Sequence, residues 1–197
     1  MTLASEWLAR KGVPHACTRE PGGTEIGAGI RKILLSENSK ALAPFAEVLL
    51  YLADRFQHVS EFLRPRLERG ELVLCDRYHD STIAYQGYAR NISRDLLQEI
   101  WNGSGMALEP DHTFLFDIEP ETGIARSLRK LKMQQLDESR FEKEALEFHA
   151  RVRNGFLELA KLHPQRIVVL DGRLPSERIH QQVKEFLGVW MGVENQE

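Results

Sequence analysis

The run Leu72-Val73-Leu74-Cys75-Asp76 is almost continuously apolar and closes on an acid. It is too short for a helix and lacks the alternation of a half-solvated strand, so it reads as a parallel strand buried on both faces. The segments 13–18, 113–118 and 166–171 read as further strands, and the third, Thr113-Phe114-Leu115-Phe116-Asp117-Ile118, is too apolar for a surface edge. Strands that alternate with helices require crossover connections, hence a parallel sheet covered on both faces. The expected fold is therefore α/β, a three-layer parallel sheet flanked by helices, in a single domain over residues 1–197.

The intervening stretches carry helical signals. Residues 2–11 place Leu3, Trp7 and Leu8 on one face, with Gly12 as a stop. Thr24 or a neighbour opens a helix with Ile26, Ile30, Ile33 and Leu34 at three- and four-residue steps. Pro44 starts a helix that runs toward Arg69-Gly70, bent or restarted at Pro65 because proline lacks the amide hydrogen. Ser93-Arg94-Asp95 caps a helix from Leu96 to about Asn102, and Pro120-Glu121 opens one carrying Ile124, Leu128 and Leu131. A long amphipathic helix is expected from about Glu142 to Leu162, and Pro175-Ser176-Glu177 opens the last.

Hydrophobic residues make up 42% and charged residues 28% of the 197, an ordinary balance for a water-soluble globular chain. The net charge of -3 provides no basic footprint for extended nucleic-acid binding. No stretch approaches a membrane span, and the first residues are too polar for a signal peptide, so the expected compartment is the cytoplasm. The two cysteines, Cys17 and Cys75, have no metal-ligand spacing and are expected to be reduced and buried.

Chemistry concentrates after the 72–76 strand, in Arg77, Ser81, Thr82, Tyr85 and Gln86. Ligands of open α/β sheets sit beyond the carboxyl ends of strands, where Asp76 and Arg77 fall. Arginine suits a phosphate because its planar fork bonds two oxygens at once. Tyr51 and Arg55, four apart, share one helix face. Taken alone these residues are equally compatible with a solvated strand end and an aromatic beside a snorkelling arginine.

The order hydrophobic pair, Asp76-Arg77-Tyr78, two free positions, Ser81-Thr82, then Ala84-Tyr85-Gln86 resembles the signature of thymidylate (dTMP) kinases. Arg19-Glu20-Pro21-Gly22-Gly23 is similar to a loop of the same family, and the resemblance extends over essentially the whole chain. It implies a nucleoside-monophosphate kinase fold and transfer of a phosphoryl group from ATP to dTMP, with Mg2+, in a homodimer. By resemblance, Glu20 and Pro21 border the monophosphate and Arg31 faces it. Tyr51 stacks on thymine where the family usually has Phe, and Arg55 reaches base or phosphate. Arg77 grips the dTMP phosphate near the transferring group, while Ser81 belongs to the same signature. Thr82 and Gln86 bond the pyrimidine edge or sugar, and Tyr85 crowds the sugar 2′ position. Asp76 corresponds to the acid that orients a magnesium-bound water. The segment 126–143 resembles a lid that closes over ATP, in which Arg140 matches the family arginine and Arg126 and Arg129 are weaker candidates. Arg173 lies in the loop that borders adenine. The catalytic set implied is Arg77, Asp76 and Arg140.

One departure stands out. Such kinases need Gly-x-x-x-x-Gly-Lys-Ser/Thr, whose amides and lysine cradle the ATP phosphates, and these 197 residues contain no such sequence. In the family it lies between the first, central strand and the first helix, so the expectation is that this strand and loop are absent and that the chain as written binds ATP poorly. The expectation is a late start of the sequence and not evolutionary loss of the strand. The rival reading is a non-catalytic dTMP-binding remnant or dimerisation partner.

Overall fold

Every apolar run read as a strand is one, and each ends where the chain turns polar. In chain order the elements of this computed structural model, which describes residues 1–192, begin with α1 (Thr2–Arg10), β1 (His15–Arg19) and α2 (Glu25–Leu35). There follow α3 (Pro44–His58), α4 (Arg64–Glu68), β2 (Leu72–Asp76), α5 (His79–Thr82) and α6 (Arg94–Gly103). The chain continues through β3 (Thr113–Asp117), α7 (Pro120–Gln134), α8 (Leu146–Leu162), β4 (Ile167–Asp171) and α9 (Ser176–Met191). None of the described helices is long and apolar enough to cross a membrane.

Local chemistry sets the boundaries. Thr24 Oγ1 accepts from the Gly27 amide at 3.0 Å, and Ser93 Oγ from the Leu96 amide at 3.3 Å, which satisfies donors that a helix start leaves open. Pro65 falls in the first turn of α4, and the residues before it, Val59–Leu63, form a wide π turn that joins α3 to α4. A second wide turn, Ile83–Ala89, prolongs α5, so the polar segment after β2 is helical and not an open loop. Helix α8 crosses this turn at Gly155, where a Cβ would lie 2.9 Å from the Tyr88 ring.

The four strands do not form one continuous ladder. β1 pairs in parallel with β2 (Arg19 opposite Asp76), and β3 with β4 (Asp117 opposite Asp171), as two separate two-stranded sheets. Side chains join the pairs instead of a ladder: Leu72 and Leu74 of β2 share a cluster with Phe114, Val168 and Leu170 under α1 and α9. Residues of opposite parity, Leu115 and Ile167, belong to a second cluster with Val48, Leu52, Ile83, Leu97 and Leu159. Because strand side chains alternate, the two clusters lie on opposite faces and helices cover both. Phe116, expected inside, is half exposed, as β3 is hydrogen-bonded on one side only.

Two smaller expectations also fail. Cys17 is exposed and Cys75 half-buried, because alternation along β1 turns Thr18 inward in place of Cys17. The long helix starts at Leu146, not Glu142, since Ser139, Arg140 and Phe141 are drawn into the core and fold the residues after them into turns.

Candidate active site

Polar residues 47, 54, 55 and 58 of α3 recur at helical steps, and all four are buried. Buried charge is costly unless it is paired. Glu20, at the carboxyl end of β1, supplies the pairing: its Oε2 accepts from Arg55 Nε at 2.8 Å and its Oε1 from His58 Nδ1 at 2.8 Å. Arg55 Nη1 donates to Thr82 Oγ1 at 2.9 Å, and His58 Nε2 meets Thr18 Oγ1 at 2.7 Å. Thr18, His58, Glu20, Arg55 and Thr82 thus form one buried relay from β1 through α3 to the helix after β2. His79 borders it 3.5 Å from Arg55 Nη1, and burial, then Arg55, holds its pKa down at about 4.

The Pro21–Thr24 loop lies over this relay. Gly22 adopts φ +101°, and its amide donates to Asp54 Oδ1 at 2.9 Å, while burial pushes the Asp54 carboxyl above its ordinary pKa. A Cβ on Gly23 would fall 2.6 Å from the His58 ring. From α2, Arg31 donates to the Pro21 carbonyl at 3.0 Å and holds Glu138 with two bonds of 3.0 and 2.6 Å.

Arg77 follows β2 with φ +69°, a left-handed conformation uncommon for residues other than glycine. Cys75 Sγ donates to its carbonyl at 3.1 Å. Arg77 is exposed as a residue, and its guanidinium lies 5.2 Å from the centre of the Tyr85 ring, whose oxygen raises the Arg77 pKa further. Tyr85 sits edge-on to Phe141, Phe148 and Phe156 and shares their cluster with Tyr51, whose hydroxyl pKa is raised by burial. Backbone strain of this kind collects where a fold must aim a side chain.

Glu47 organises the next layer. Its wholly buried carboxylate accepts from Gln86 Nε2 at 2.9 Å, from Arg90 at 3.4 Å and from Arg140 Nη2. Arg140 Nη1 also donates to the Leu34 carbonyl at 2.8 Å. Residues 138–144 are pinned further by Glu138 on Arg31, by Ser139 and Lys143 on Glu37, and by Glu144 on Arg90. This part of the expected lid is docked, whereas α7 has no buried residue.

A separate group stands at the carboxyl ends of β3 and β4. Arg153 bonds Asp117 through both oxygens at 2.7 and 2.9 Å, Arg173 pairs with Asp171, and Arg126 Nη1 donates to the Gly172 carbonyl at 2.8 Å. Asp117, Asp171, Arg153 and Arg173 line a cavity of about 250 Å3.

Comparison with known proteins bears on this arrangement. The family model described as thymidylate kinase matches residues 1–183. The chain is 42% identical over 190 residues to the thymidylate kinase of Nostoc sp., covering 96% of this chain and 88% of that one. It is 46% identical over 183 residues to that of Carboxydothermus hydrogenoformans, with 93% and 86% covered. The chain belongs to the thymidylate kinase family. Among solved structures, thymidylate kinase from Ehrlichia chaffeensis superposes with a TM-score of 0.72 at 30% identity, covering 94% of this chain and 88% of that one.

For this member of the thymidylate kinase family, the residues singled out by resemblance fall into two sets. Glu20, Pro21, Arg31, Tyr51, Arg55, Asp76, Arg77, Ser81, Thr82, Tyr85 and Gln86 lie at or just beyond the carboxyl ends of β1 and β2 and on the helical elements that follow or cover them. Arg126 and Arg173 lie with β3 and β4, and Arg140 makes its contacts with α2 and α3, apart from them. Arg55, Thr82 and Gln86 are almost wholly buried against protein partners, while Asp76 and Arg77 are exposed. Sequence reasoning missed Glu47, Asp54, His58 and Arg90. The first three carried a readable signal, since they recur with Tyr51 and Arg55 on one helical face. Among the described residues no three His, Cys, Asp or Glu side chains gather as a metal cage.

Proposed function

We propose that this protein transfers a phosphoryl group from ATP to dTMP, giving dTDP and ADP. The observation that carries the reading is Arg77, an exposed residue with a left-handed backbone whose guanidinium lies beside Tyr85 just beyond β2. A guanidinium beside an aromatic ring suits a phosphate attached to a planar base. In the proposed site Arg77 holds the dTMP phosphate, Tyr51 and Tyr85 flank the nucleoside, and Pro21, Arg31 and Ser81 close the pocket. Arg55, Glu20, Thr82 and Gln86 shape its floor. Catalysis here is positioning and charge neutralisation, because the reaction leaves the protein little covalent chemistry to do.

Arg126, Arg140 and Arg173 are assigned to the ATP side, with 126–143 as the covering segment of a single domain. Mg2+ keeps most of its waters and takes one or two carboxylates plus phosphate oxygens, a donor set that the exposed Asp76 fits. When bound, the ion would offset phosphate charge. A homodimer is the proposed assembly, supported by exposed Ile26 and Ile33 on α2 and Phe45 and Leu49 on the adjoining α3. The grip on the ATP phosphates is the part for which these residues hold no Gly-x-x-x-x-Gly-Lys-Ser/Thr loop.

The test is a coupled ADP-release assay with ATP, Mg2+ and dTMP, run on this chain and on a form that carries an added strand and glycine-lysine loop ahead of Thr2. Release that depends on dTMP in the extended form, lowered about 100-fold in kcat/KM by Arg77→Met, is the expected result. Inactivity of both forms with dTMP still bound would favour a non-catalytic binding protein. Absence of dTMP binding would end the reading.

A further inference from the structure

Both oxygens of the buried Glu20 carboxylate are taken by side chains of α3: Oε1 by His58 Nδ1 and Oε2 by Arg55 Nε, each at 2.8 Å. An ionised carboxylate only accepts, so His58 Nδ1 carries hydrogen, and Nε2 is left to meet Thr18 Oγ1 at 2.7 Å. The ring is wholly buried, tilted against Phe62 at 5.4 Å, and enclosed where Gly23 lacks a Cβ. Arg55 is held at Nε by Glu20 and at Nη1 by Thr82, and among the described residues Nη2 has no protein acceptor.

We propose that His58 is a positioning residue for Arg55. By fixing Glu20 Oε1, it turns the carboxylate so that Oε2 aligns the guanidinium and Nη2 remains for substrate. The torsion that carries a glutamate carboxylate is broad, so one partner alone does not set its plane. His58 and Arg55 together do, and Thr18 keeps the ring in the required tautomer. This role rests on the reading of Arg55 as part of the dTMP pocket.

Two variants separate positioning from mere packing. In His58→Asn the amide nitrogen occupies the place of Nδ1 and still donates to Glu20, whereas in His58→Gln it occupies the place of Nε2 and does not. A purely structural role would weaken both alike. The readouts are dTMP affinity by calorimetry, without ATP, and the Arg55 Nε–H resonance in nitrogen-15 spectra of the ligand-free protein. The Asn variant is expected to bind dTMP within about 3-fold of the parent and to keep the resonance. The Gln variant is expected to bind about 10- to 100-fold more weakly, the loss of one charge-assisted hydrogen bond, and to shift or lose it. Equal affinities in the two variants, or an unmoved resonance in the Gln variant, would overturn the proposal. Should the Gln variant not fold, Thr18→Val replaces it, with an expected weakening of about 3- to 10-fold and unchanged affinity as the refuting result. A parent protein that fails to bind dTMP defeats the functional reading and the substrate role of Arg55 with it. The Nε–H comparison then still decides whether His58 orients Arg55.

Discussion

Removing the Arg140 guanidinium should destabilise the protein by about 3 kcal/mol. Glu47 has no exposed surface, and its remaining cation, Arg90, lies 3.4 Å from either oxygen with 18% of its side chain exposed. That exceeds the 2.7–2.9 Å typical of a charge-assisted bond, so Arg140 is the principal neutraliser. Breaking one partner of a buried ion pair generally costs about 3–5 kcal/mol, and the residual attraction of Arg90 and the Gln86 amide puts Arg140→Met at the low end. Loss of the bond to the Leu34 carbonyl acts in the same direction. The double variant Glu47→Gln/Arg140→Met removes the stranded charge along with its partner and should recover about 2 kcal/mol of that loss. Urea unfolding at neutral pH, followed by circular dichroism across the four-protein cycle, measures each step. A cost below about 1 kcal/mol for Arg140→Met, or strict additivity of the two substitutions, would refute the reasoning.

Glu138 occupies the fork of Arg31, so Glu138→Gln should free that arginine and tighten dTMP binding about 2- to 5-fold, the scale of a partly exposed ion pair; unchanged or weaker binding by calorimetry would contradict it. His79 supplies a pH test. Its folded pKa of about 4 lies below the ordinary 6.5, so between these values the unfolded chain binds the extra proton and stability falls as the solution is acidified. The loss is at most on the order of 3 kcal/mol and levels off below about pH 4. His79→Gln should flatten the unfolding free energy between pH 6.5 and 4 relative to the parent; parallel curves would show that His79 is not the group responsible.

Arg77 shows where legibility in the sequence stopped. Its position, directly after an apolar run, was readable, and so was the family signature around it. Its left-handed backbone was not, because no local pattern announces that a non-glycine residue will be held there by its surroundings. Arg55 is similar: the four-residue step from Tyr51 assigned it to a face, but only packing decided that it would be buried between Glu20 and Thr82. Arg140 was readable as part of the 126–143 segment, but its ion pair with the buried Glu47 was not.

What the chain determined by itself is what depends on neighbours in sequence. The apolar runs became strands, Thr24 and Ser93 became caps, and Pro65 interrupted a helix, since propensity, capping and a missing amide hydrogen act within a few residues. The tertiary structure alone decided that the strands form two pairs joined by side chains, and which distant groups would meet. Glu20 and Arg55 are 35 residues apart in sequence, Glu47 and Arg140 are 93 apart. The physical reason is that a buried charge must find an opposite partner wherever the fold brings one, and that choice belongs to the packed core, not to any one element.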